Sequence, residues 1–76
     1  METVVIAWAN GWTAEARWVR PEHELAVNIM QGNVDEVVRV RQKDGSGSVF
    51  YRITGWAIRD GGFGLLVERK GGQSGA

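Results

Sequence analysis

The sequence predicts an all-β fold, with five or six antiparallel strands in a meander that closes into a small barrel or sandwich, SH3-like or similar. Three observations carry this. Short segments of alternating apolar and polar residues recur at roughly 10–12-residue spacing, the rhythm of small barrels and sandwiches. Turn signals separate them at Asn10–Gly11, "QGN", "KDGSG" and "RDGG". Eleven glycines and one proline favour turns over long helices. Closure is expected because an open sheet this small leaves bare edges that invite aggregation.

The first strand is "TVVIAWA", residues 3–9, rich in β-branched side chains. Asn10–Gly11 reads as a two-residue type I′ turn. It pairs Ala7 with Ala14 and Ala9 with Trp12. Val5, Ala7, Ala9, Trp12, Ala14, Ala16 and Trp18 then share one apolar face. The opposite face carries Val4, Ile6 and Trp8 beside Thr13, Glu15 and Arg17, so Trp8 with Arg17 is a candidate ligand platform. Pro21 closes the second strand.

"HELAVNIM" alternates as a third strand. A short helix over 22–31 competes, because proline and acids lead that stretch and glycine ends it. "DEVVRVRQ" follows with Val38 and Val40 inward. A loop, "KDGSG", leads to the long strand "SVFYRITGWAI", and "RDGG" turns into the last strand, "FGLLVERK".

A four-residue loop over 44–47 pairs Arg39 with Arg52 and gives a clean core face of Val38, Val40, Val49, Tyr51 and Ile53. The other face holds Arg39, Arg41, Phe50 and Arg52. With Asp60–Gly61 central to the last turn, Ile58 pairs with Phe63, Trp56 with Leu65 and Arg52 with Arg69. Arg39, Arg52 and Arg69 then form a row across three strands. Directly opposed like charges disfavour pairing, so an anion, nearby carboxylates or splaying into water must compensate. Trp56 and Phe63 fall opposite the assigned core, where either curling of the sheet or a partner covers them.

Composition narrows the function. A chain of 76 residues is a single domain, here residues 1–70, followed by a small polar tail over 71–76 that reads as flexible. It has no cysteine and one histidine, so it supplies neither a disulfide framework nor a metal site. "DGGFG" and "GSGS" open no helix and do not fit a phosphate-cradling loop. Ser46 and Ser48 have no histidine in a recognisable context, and "PEHE" reads as a charged turn. No catalytic residue and no cofactor is assigned. Nine basic and nine acidic residues cancel, so long-range steering towards nucleic acid or anionic membrane is absent. No apolar run approaches the ~20 residues of a membrane span, and the first residues lack the pattern of a secretory signal, so a cytoplasmic protein is expected.

The pattern "FYRITGW…DGGFGLLVERK" resembles the final hairpins of small phage assembly barrels over about a quarter of the chain. The shared chemistry is that of β-hairpins in general and assigns no residue a role. The expected function is a non-catalytic protein-binding or assembly module, self-association included, acting through aromatic and arginine-bearing sheet surfaces. A nucleic-acid-binding barrel using the arginine row is the alternative, and an enzyme with an inter-subunit site a weaker one.

Overall fold

The computed structural model describes residues 3–70. The tail expected to be flexible lies outside the described residues. Among the described residues six strands form: β1 (Thr3–Ala7), β2 (Thr13–Arg20), β3 (Glu24–Val27), β4 (Val37–Gln42), β5 (Val49–Arg59) and β6 (Gly62–Arg69). They close in the order β1-β2-β3-β6-β5-β4, every neighbouring pair antiparallel. The expected small barrel is therefore present. Residues 24–27 form a strand, and none of the described residues is helical, so the 22–31 helix is excluded.

The meander is interrupted once. Strands β1–β3 and β4–β6 are each a three-stranded meander, and the halves join at both edges through β1–β4 and β3–β6. They repeat one plan. Gly11 N–H donates to Trp8 O and Trp8 N–H to Trp12 O; Gly45 N–H donates to Gln42 O and Gln42 N–H to Ser46 O. In each turn an Asx side chain (Asn10, Asp44) accepts from the amide two residues on. The second strand of each half then carries a register shift, between Trp18 and Arg20 in β2 and between Ile53 and Gly55 in β5. This internal two-fold likeness is invisible in the residues, which share turn chemistry and little else.

The first turn differs from expectation in a consequential way. Of its residues only Gly11 has positive φ, at 96°. A type I′ turn needs two such residues, so the loop is the three-residue kind with a glycine bulge. Ala7 accordingly pairs with Thr13 and Ile6 with Ala14. That one-residue slip reverses which faces combine. Val4, Ile6 and Trp8 turn inward with Ala16, and Ala14 and Trp18 pack partly against them. Val5 and Ala7 point outward.

Leu25, Val27, Val38, Val40, Tyr51, Ile53, Leu65 and Val67 complete the core. Trp18 meets Tyr51 edge to face at 5.3 Å between centroids. Nothing stands within 4 Å of a Cβ added at Gly11, so Gly11→Val tests backbone conformation alone. It is expected to cost about 1–2 kcal/mol, read as a lowered melting temperature.

The chain between β3 and β4, residues 28–36, crosses one end of the barrel. Trp8 Nε1 donates to Gln31 O at 3.1 Å. Gly32 lies so close to Trp8 that a Cβ there would stand 2.8 Å from the indole nitrogen. This segment thus caps the core over Trp8 and Ile53. No helix of the described residues is long and apolar enough to cross a membrane.

Candidate functional site

The arginine row does not form. The last turn is centred on Asp60–Gly61 as expected, and Ile58 pairs with Phe63 and Trp56 with Leu65. Between Gly55 and Ile53 the register shifts by one residue, so Arg52 faces Glu68 and Tyr51 faces Arg69. The β4–β5 loop also closes two residues from the expected register. Arg39 therefore faces Phe50, and Arg52 faces Val37. A two-residue shift preserves the faces, so the Val38–Val40–Val49–Tyr51–Ile53 side faces the core as expected.

Carboxylates supply the compensation. Arg52 Nη1 donates to Asp35 Oδ1 at 2.5 Å, and Nη2 to Glu68 Oε1 at 2.7 Å. Hydrogen bonding to these two acids holds the Arg52 guanidinium above its ordinary pKa. Arg69 has Glu22 at 3.6 Å. Neither arginine is a free anion site.

Trp8 is 3 % exposed and belongs to the core, so the platform with Arg17 does not exist. Arg17 lies on the outer wall opposite Thr3 and Ala26. It lines a shallow cleft of about 330 Å³ with Asn28, Arg59, Asp60 and Phe63. Trp56 and Phe63 are partly buried against the core. The shift at Thr54 turns Trp56 towards the interior, as closure of the barrel requires. An isolated glycine inside a strand, here Gly55, is the sequence signal for such a bulge.

Two surfaces remain. On the outer wall, Arg39 lies between Ala7 and Phe50, and Arg41 beside Val5. Among the described residues, neither arginine is within ion-pair distance of an acid. Phe50 is 41 % exposed. Part of the expected arginine–aromatic patch thus survives, as Arg39, Arg41 and Phe50.

The second surface is the capped end of the barrel. Strand directions place the β1–β2 turn, the 28–36 segment and the β5–β6 turn at this same end. It carries Trp12, Ile29, Met30, Val34 and Ile58, five of the seven exposed large apolar side chains among the described residues. Ile58 is 83 % exposed. Sequence reasoning missed this cluster, because its members sit in separate turns, far apart along the chain, and only the up-and-down alternation of the strands gathers them at one end.

Beside it lies a stripped strand edge. β4 pairs with β5 only as far as Arg52, and Asp35 and Glu36 then bond Ile53 through its carbonyl and amide. From Gly55 to Arg59, β5 pairs with β6 alone, and Thr54 is the bulged residue before them.

Buried Glu24 organises the outer wall behind this hairpin. Arg59 crosses β6 and donates from Nε to Glu24 Oε2 at 2.7 Å and from Nη2 to Oε1 at 2.8 Å. Arg20 approaches at 3.5 Å. The Arg59 hydrogen bonds pull the Glu24 carboxyl below its ordinary value of 4.5, against the opposing effect of burial. In place of the charged turn expected over "PEHE", Glu24 starts β3 and lies sealed under one layer of arginine side chains. Gly64 makes the crossing available, since a Cβ there would overlap Glu24 Oε2. Among the described residues no group of three His, Cys, Asp or Glu side chains is placed to hold a metal ion. Compared with protein-family models, with curated proteins and with solved structures, the chain matches none.

Proposed function

We propose that this barrel is a non-catalytic binding or assembly module whose protein partner sits on the capped, apolar end. The observation that supports it is the gathering of Trp12, Ile29, Met30, Val34 and Ile58 at one end, with Ile58 83 % exposed. Apolar side chains collected this way mark interaction surfaces, whereas single ones scattered over a wall do not. Trp and Met suit such a surface, one as a large amphipathic anchor and the other as an adaptable apolar contact.

The second reading, nucleic-acid binding, draws on Arg39 and Arg41 flanking Phe50. A base stacked on Phe50 with its phosphates near the two guanidinium groups is the chemistry available there. Overall neutrality favours the protein partner, since nothing steers a polyanion from a distance.

The test is copurification from a cell extract, using wild type, a Trp12→Glu/Ile58→Glu variant and an Arg39→Gln/Arg41→Gln variant. The partner is expected to be lost from the first variant and kept by the second. Loss only in the arginine variant, with salt-sensitive binding of random-sequence DNA by wild type, would establish the nucleic-acid reading instead. Arg52→Gln serves as a control. It breaks the Asp35 and Glu68 bonds and is expected to leave partner binding unchanged.

A further inference from the structure

We infer that the β5 edge from Thr54 to Ile58 pairs with the same edge of a second copy of this chain, extending the sheet across a two-fold axis. The inference rests on the binding-module reading and names one partner for the apolar end.

The edge follows from the turn. A two-residue loop over Asp60–Gly61 makes Arg59 and Gly62 a hydrogen-bonded pair. Counting back by twos, Ala57 and Gly55 also bond β6. The amides and carbonyls of Trp56 and Ile58 therefore point away from it, as does the carbonyl of Thr54, which is trans to the Gly55 amide; the Thr54 amide, trans to the Ile53 carbonyl that Asp35 occupies, faces β6. Closed barrels abolish such edges, and this one persists only where β5 runs past β4. The other half of the molecule shows the contrast. Its corresponding strands, β2 and β3, span 8 and 4 residues, against 11 and 8 for β5 and β6. The hairpin that breaks the internal likeness is the one that projects.

A strand edge asks for another extended strand. "TGWAIR" suits itself in the antiparallel sense. Centred on Trp56, the pairing sets Trp56 opposite Trp56, with the amide and carbonyl of each engaged, and Ile58 opposite Thr54, where the Ile58 amide donates to the outward Thr54 carbonyl. It carries Ile58 towards Val34 of the second copy, which precedes the Asp35 and Glu36 contacts at the head of that edge. Both side chains are exposed in the single chain, Val34 at 56 %.

Charge does not oppose the approach. Arg59, the one charged residue of the segment, is held by Glu24, and Arg52 by Asp35 and Glu68. Edge strands that avoid pairing carry a lysine, a proline or an inward charge, and Thr54–Ile58 has none of these.

Sedimentation of the full chain, with amide hydrogen exchange, tests this. Wild type is expected at twice the 8.4 kDa chain mass at micromolar concentration, with the Trp56 and Ile58 amides protected. Ile58→Lys is expected to be monomeric, with both amides exchanging fast and its circular dichroism unchanged. Ile58→Pro, which removes an outward amide, is expected to do the same without adding charge. A wild-type monomer across that range overturns the inference, as does a dimer that persists in both variants. If the monomer still captures a partner through Trp12 and Ile58, only the self-pairing falls. If it captures none, the binding-module reading falls with it.

Discussion

Trp8→Ala is expected to cost about 3–5 kcal/mol of stability, the usual range for removing a buried tryptophan. Proteins hold roughly 0.05–0.15 kcal/mol per residue, so a chain of 76 residues has about 4–11 kcal/mol in total. The substitution therefore brings the barrel to the edge of unfolding at room temperature. The loss has two parts. One is the cavity left among Ile6, Ile53 and their neighbours at the capped end. The other is the anchor from Nε1 to Gln31 O, which ties the 28–36 segment over the core. Trp8→Phe separates them, because it keeps an aromatic ring and deletes the donor; a smaller loss, on the order of 1–2 kcal/mol, is expected. Urea unfolding measures both. A Trp8→Ala midpoint within error of wild type would mean that the indole is on the surface, and with it that the β1–β2 register is wrong by one residue.

That register shows what was legible in the sequence and what was not. Alternation and turn residues disclosed five or six strands, with a helix competing only at 22–31, because each is a local property of a few neighbouring residues. The Val38–Val40–Val49–Tyr51–Ile53 face was also legible, since an error of two residues in the loop leaves faces intact. Errors of one residue do not. Asn10–Gly11 closes a two-residue or a three-residue loop with the same residues, and the choice sends either Val4–Ile6–Trp8 or Val5–Ala7 inward. The alternative with three large apolar side chains inside is the one the fold takes. Thr54 has the same effect on β5, where one unpaired residue moves Arg52 from Arg69 to Glu68. The like-charge row was itself a warning. Opposed arginines carry an electrostatic cost, and a bulge beside Gly55 removes it by bringing in a carboxylate. The apolar end was missed because its residues lie in separate turns outside the alternating segments, although the up-and-down order of the strands is enough to bring those turns to one end.

Glu24 gives the second large effect, and it is read through pH. Its carboxyl titrates below 4.5 in the folded chain because Arg59 holds it bidentately. A folded pKa below the unfolded one adds stability that is complete above about 4.5 and is lost as pH falls through the folded value. Wild type is thus expected to lose melting temperature as the solution is acidified below 4.5. Glu24→Gln should melt lower at neutral pH and fall less on acidification, so that the two curves converge. Asp44, which the Ser46 hydroxyl also holds below its ordinary value, is present in both proteins and cancels from the difference.

Gly64→Ala reaches the same ion pair by space rather than charge. The added Cβ occupies the position of Glu24 Oε2 on the outer wall, so the carboxylate must leave or β6 must shift. Overpacking of this kind costs about 1–3 kcal/mol. The diagnostic is the slope. If Gly64→Ala displaces Glu24 from Arg59, it lowers the melting temperature at neutral pH and flattens the acid limb as Glu24→Gln does. Simple crowding of β6 lowers the temperature and leaves the limb as steep as in wild type. The distinction bears on the β5 edge, because the Arg59–Glu24 bridge ties the projecting hairpin back to β3. A chain that loses the bridge should present a looser edge, and its Trp56 and Ile58 amides should exchange faster even when the barrel stays folded.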